Sequence, residues 1–436
     1  MNDLDNLKQN LYDYFQERYG GSTGSLGPGS QFLAFEKVPT FVAASDYKLN
    51  PGDTEFNAAV ALQHGSRLVN FAVQIDPEGF IDPRGDLTPT VDGQYNLLLN
   101  AANPLAQSDG EAALFSQIKG QALQKFKDSE ASMNLMDFWP AAFTPQFWFN
   151  DQDPGIWEHY AYAASQTTPP QPGTPPPVTL GEWRWRVITP EVATKWQSVA
   201  IAQALPAPVL VQSNFLDPQP LKVSPAAASP VASLEPQLSI KVEPSILLAN
   251  LSSQAAEVPT SAGTAPPADT PVLQAAQLNV LNLKQAAFQE IILDLPEQPV
   301  SSSNFEISFD YCLVEVSRPW LSAEFLNMDN WYALGAQAGA YAGGSYAPSS
   351  LPFAYLPTKF IVVKDLSISA EWSEEDRASL QDAASLGPFS LMNKTISEGS
   401  GTLSYPGMQI IAWFCQIMPV LPPGTDPAIM DSGGGS

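Results

Sequence analysis

Residues 305–316 read FEISFDYCLVEV, and their patterning decides the architecture. Phe305, Ile307, Phe309, Tyr311 and Leu313 alternate with Glu306, Ser308 and Asp310, before Val314 and Val316 make the end apolar on both sides. Alternation marks a strand with one face on a core, and a two-sided apolar run marks a strand covered on both faces. Residues 360–372 and 408–418 behave alike, the latter inside GMQIIAWFCQIMP, which reads as a central strand. Stretches with glycine or proline bound all three runs. The expected fold is mainly β with short helices and multidomain. Its C-terminal part, 305–423, is an antiparallel β-sandwich or jelly-roll-like domain, and its N-terminal part a mixed α+β unit.

Working outward, residues 3–19 predict a short amphipathic helix. Leu4, Leu7, Leu11 and Phe15 share a stripe with Tyr14, and Gly20 and Gly21 stop it. A helix this short is marginal alone, so it is expected to dock on its own body, on another subunit or on a carrier. A flexible linker follows over 20–30. Residues 31–165 form the mixed, aromatic-rich unit. Asp53 and Thr54 predict a cap for a helix ending near Gly65, 67–75 has strand character, and 109–129 reads as a helix with Gly120, a poor helix former, in its interior. The proline-rich break 166–178 is extended and stiff by composition. Residues 179–304 alternate proline, alanine and serine tracts with apolar islands at 238–242, 246–251 and 278–283, after a possible helix over 190–204. Prolines 225, 230, 236 and 244 forbid long central strands there. A flexible tail occupies 424–436.

Composition narrows function. Acidic residues outnumber basic ones 45 to 20, a formal charge of −25 that repels phosphate backbones and argues against nucleic acid as a partner. Only His64 and His159, and Cys312 and Cys415, occur in 436 residues. These two residue types dominate general-base, nucleophilic and transition-metal chemistry, so no metal and no cofactor is expected. No basic, apolar leader opens the sequence, which suits a cytoplasmic protein or one exported without a Sec signal peptide. Both cysteines fall in expected strands, where a bridge requires those strands to face one another.

The densest aromatic zone, 138–162, includes Trp139, Trp148, Trp157 and Tyr160, placed to stack on a sugar or a flat ligand, or else to pack a core. Hydrolysis, if any, falls to paired carboxylates, with Glu158 as acid and Asp151 or Asp153 as its partner. The stretches 150–155 and 76–79 set oxygen ligands on turns but fail the calcium-loop pattern, so turns are the simpler reading. Arg84, Gly85 and Asp86 spell a common loop tripeptide. The uncharged run 331–355 carries Trp331, Tyr332, Tyr341 and Tyr346 and suits an intersubunit contact; Pro348 and Pro352 disfavour membrane insertion. The function expected is non-enzymatic binding or assembly through these aromatic and Gly/Ala/Tyr-rich surfaces. The partner is another protein or a second copy, with carbohydrate as a further ligand class. A delivered pore-forming toxin and a carboxylate-based glycan or ester hydrolase are the rivals.

Overall fold

The computed structural model describes residues 3–20, 27–49, 52–71, 73–81, 90–105, 108–131, 139–164, 178–189, 292–347, 351–397 and 399–431. The tripeptide at 84–86, Phe138, nearly all of the proline-rich break, the expected helix at 190–204 and the three apolar islands lie outside the described residues.

In chain order the elements are α1 (Asp3–Tyr19), β1 (Gln31–Val42), a 3-10 turn (Ala44–Tyr47), α2 (Ala58–Val69), α3 (Val91–Ala101), β2 (Ala102–Pro104), α4 (Asp109–Ala131), β3 (Ala142–Thr144) and β4 (Glu158–Ala163). Then come β5 (Trp185–Val187), β6 (Glu297–Gln298), β7 (Ser303–Ser317), α5 (Ala323–Leu326), β8 (Trp331–Ala333), β9 (Ala342–Gly343) and β10 (Tyr355–Glu371). The chain closes with α6 (Glu374–Leu380), β11 (Ala383–Leu386), β12 (Phe389–Ser390), β13 (Thr395–Ile396), β14 (Leu403–Tyr405), β15 (Met408–Ile417), β16 (Val420–Leu421) and α7 (Pro427–Asp431). The fold is mainly β.

The three long runs read from the sequence become β7, β10 and β15, neighbours in an eight-stranded antiparallel sheet. β10 lies at its centre, with Phe360 opposite Val314 of β7 on one side and Trp413 of β15 on the other. β1 extends the sheet beyond β15, while β3 and β4 extend it beyond β7. Segments that the sequence assigns to separate units, 31–165 and 305–423, therefore share one hydrogen-bonded sheet. A smaller sheet, ordered β12-β11-β5-β6, stacks on one face, Trp183 against Phe35 at 5.4 Å and Phe389 against Phe309 at 5.9 Å. On the opposite face Phe71 meets Trp413 at 5.4 Å and Trp148 meets Phe360 at 4.9 Å. Strand alternation turns Phe309 and Phe360 to opposite sides, so both faces are dry.

Two local expectations are corrected. α2 is capped not by Asp53 or Thr54 but by Asn57, whose side-chain oxygen accepts from Ala59 N and Val60 N. The helix then continues to Val69, through the start of the stretch expected as a strand. Only isolated bridges follow, Phe71 with Thr90, Val73 with Tyr355 and Ile75 with Ile81, because the cap at Asn70 sets the exit late. The helix expected over 109–129 is present as α4, which runs through Gly120, a position facing open space.

A second core lies where α3 and α4 pack on Trp320, Phe325 and Trp331. Arg318 joins this region to the large sheet: its buried guanidinium donates to Val69 O and Pro357 O, both at 2.6 Å. Burial lowers its pKa to about 10.

Candidate functional site

α1 docks on its own body. Leu4, Leu7, Leu11 and Phe15 are buried, and the Phe15 ring lies 5.0 Å from that of Tyr311 on β7. The stripe that suits a partner is thus occupied by the chain's own sheet. A hydrogen-bonded knot fastens the helix end. The Tyr311 hydroxyl lies 2.9 Å from those of Tyr14 and Tyr19 and donates to Glu158 at 3.1 Å, while Arg18 meets the same carboxylate at 2.5 Å. Burial pushes the Tyr311 and Tyr19 phenols up, keeping them neutral.

Of the carboxylates considered for hydrolysis, those of Glu158 and Asp153 are engaged locally. Glu158 belongs to that knot. Asp153 accepts Gly155 N at 2.9 Å, and the backbone oxygen of Asp151 accepts Lys364 at 2.6 Å. Together with Asn150, which accepts Gln152 N, they build a turn. None of the three lines the cavities described below. Among the described residues no group of His, Cys, Asp and Glu is arranged to hold a metal ion.

The rings expected to face a ligand mostly pack inward. Trp148 and Trp331 are fully buried; Trp139 stacks on Phe126 at 4.5 Å. Tyr160 stacks on Phe309 at 5.0 Å and donates its hydroxyl to Asn10 at 2.9 Å. Trp157 donates to Asn150 O at 3.1 Å and carries the Lys364 ammonium 4.7 Å from its ring. Tyr346 packs on Phe32 at 4.9 Å. Tyr332 and Tyr341 keep part of their surface in solvent.

Cys312 and Cys415 are free and buried. They sit on β7 and β15, with β10 between them, opposite Val362 and Pro357 respectively. Two strand spacings place them roughly 10 Å apart laterally, beyond the reach of a disulfide. Burial pushes the Cys312 thiol up to about 12 and the Cys415 thiol up as well.

A polar cavity lies elsewhere, between the bulge of β1, the turn at 76–80 and the strand entering the small sheet. It holds about 220 Å³. The turn forms because Asp76 Oδ1 accepts Phe80 N at 2.9 Å and Gly79 takes a positive φ of 93° with its α-carbon against Thr179 O, where any side chain would collide. Asp76 and Glu78, considered above as cation ligands, instead clamp Lys37 at 3.1 and 3.0 Å. Burial alone would lower the Lys37 pKa; the bonds to Glu78 and Asp76 outweigh it and raise the value. Across the cavity Arg184 meets Glu182 at 2.7 Å, and Arg186 meets Glu297 at 2.5 Å and Lys37 O at 2.8 Å. Burial pulls the Arg186 pKa down despite Glu297. A shallower groove of about 290 Å³ crosses β4, β7 and β10 between Ala161, Ser308 and Ser367, with Glu306 as its charge.

Sequence reasoning missed the cavity, though a signal exists. Residues 182–186 read EWRWR, and strand alternation sends Trp183 and Trp185 to the core and the charged residues away from it. Comparison of the chain with protein-family models, with curated proteins and with solved structures returns no match in any of the three. Among the described residues no helix is long and apolar enough to cross a membrane.

Proposed function

We propose that this is a non-enzymatic binding or assembly protein whose contact surface is the loop spanning 334–346, with a second copy of the chain or another protein as its partner. The observation that supports this most is a pre-set, uncharged loop that holds apolar groups in water. Gly335 N donates to Asp426 at 2.7 Å, Gly339 N to Pro422 O at 2.9 Å and Tyr341 N to Leu421 O at 2.7 Å. Ala338 N reaches Thr425 at 3.0 Å. Leu334 is 61% exposed, and so is Met430 at 62%, on the short helix that follows Asp426. Ordering entropy is the usual cost of recruiting a loop, and here the backbone frame has already met it. An uncharged patch in a chain of net charge −25 is also where a partner approaches with least repulsion.

Light scattering across a hundred-fold concentration range tests the reading. Self-association that disappears in Leu334→Asp and Met430→Asp, with far-UV circular dichroism unchanged, supports it. For a different protein partner, a photocrosslinker at Gln337 captures one product that the same two substitutions abolish. A monomer at every concentration with no such product rejects the proposal.

A further inference from the structure

The cavity between Lys37 and Arg186 takes no part in that loop surface, and its charge pattern carries a separate conclusion. We propose that it binds a free α-amino acid, with the carboxylate toward Arg184 and Arg186, the ammonium toward Glu78 and Glu182, and the side chain along Phe80 and Leu180.

The charge balance comes first. Three cations and three carboxylates line the cavity, in a chain with more than two acidic residues for each basic one. A ligand of a single sign meets as many like charges as opposite ones there. A zwitterion answers both signs at once, which is the way a balanced site gains selectivity.

Unspent hydrogen-bonding capacity comes second. The Arg186 side chain is only 5% exposed, and its Nε has no hydrogen-bond partner among the described residues. Buried donors without partners are rare and costly, and they mark places where a bound molecule or water completes the site.

The third observation is which contact must give way. Arg184 and Glu182 are 42% and 62% exposed, and a solvent-screened surface pair of this kind contributes little to stability. Exchanging it for a ligand carboxylate is cheap, while Arg186 stays anchored to Glu297 and Lys37 O. The apolar wall is close-packed: a β-carbon at Gly181 would collide with the Phe80 ring, so only glycine brings the backbone this near. The cavity, of about 220 Å³, has room for an amino acid with a short aliphatic side chain.

Isothermal titration of the full chain with L-alanine, L-valine and L-leucine tests this, with isobutyrate and isobutylamine as single-charge controls. The expected result is saturable binding of at least one amino acid and none of either control. Arg184→Gln then weakens that binding by about 10- to 100-fold, the usual effect of losing one charged hydrogen bond, with the thermal midpoint of the free protein unchanged. Glu182→Gln is the second variant and weakens the same ligand through its ammonium. Absence of heat and of thermal stabilisation with all three amino acids overturns the assignment. So does isobutyrate binding as tightly as valine, or full affinity in both variants.

Discussion

Replacing Asp376 by asparagine removes one charge and a single acceptor, and the structure fixes what that does. Asp376 lies in the first turn of α6, almost fully buried, and its two oxygens serve different elements. Oδ1 accepts the Trp185 indole N–H at 2.8 Å; Oδ2 accepts Ser301 N at 3.0 Å, Ser302 N at 2.7 Å and the Ser302 hydroxyl. The carboxylate thereby pins the small sheet to the segment that leads into β7. An asparagine oxygen can replace only one of these atoms. Its best orientation keeps the Oδ2 bonds and turns the amide NH2 toward the indole N–H, donor against donor. Loss of one charge-assisted bond costs about 1.5–3 kcal/mol, and the remaining bonds weaken as they become neutral. The sum is about 3 kcal/mol, more than a hundred-fold in the folding equilibrium. Urea unfolding followed by tryptophan fluorescence and far-UV circular dichroism measures it. In a Trp185→Phe background the indole donor is gone, and the cost of Asp376→Asn falls by about the value of that bond. A loss below about 0.5 kcal/mol, smaller than any single charged hydrogen bond, refutes the reasoning, and so does an equal cost in both backgrounds.

Three further outcomes are expected. His64 is buried, and desolvation with the nearby Arg67 lowers its pKa to about 4, so the unfolded chain takes up a proton first as pH falls. Its contribution is constant above pH 6.5 and is lost between 6.5 and 4, a fall of about 3 kcal/mol in urea-unfolding titrations that flattens in His64→Leu. Leu11→Ala, at the fully buried centre of the α1 stripe, costs about 2–5 kcal/mol in the same assay; a cost under 1 means the helix is not docked as described. Cys312 and Cys415 stay unreactive toward a thiol-disulfide reagent at pH 8 and both react in urea; a fast-reacting thiol in the native protein contradicts their burial.

The central strands were legible because each carries its own pattern: alternation in β7, two-sided apolarity in β15. α1 and α4 were legible for the same reason, a stripe repeated within one segment. β1 was not. Its partner, β15, lies at the other end of the sequence, and Glu36, Lys37, Val38 and Pro39 bulge between Phe35 and Thr40, breaking any alternation. Glu36 is fully buried in that bulge, accepting Thr40 N at 2.6 Å and the Trp413 indole at 2.5 Å, an arrangement no local rule anticipates. Aromatic richness misled for another physical reason. A ring is equally suited to a groove and to a core, and only the neighbours decide, as Phe360 does for Trp148. The cavity was illegible because β1, the 76–80 turn, 179–186, Glu297 and Gly387 each supply a fragment. Residues 331–346 could be read as uncharged, but the frame holding them comes from 421–426.

Pairing β1 with β15 also dictates when the molecule can become itself. The eight-stranded sheet stays unfinished on the ribosome until residue 417 has emerged, so β1 waits, largely apolar, while the residues between 42 and 417 are translated. At about 5–20 residues per second that interval is tens of seconds, and chains dominated by such distant pairings close slowly even once complete. A chaperone that shields residues 31–42 during synthesis therefore raises the yield of native protein far more than one supplied after release.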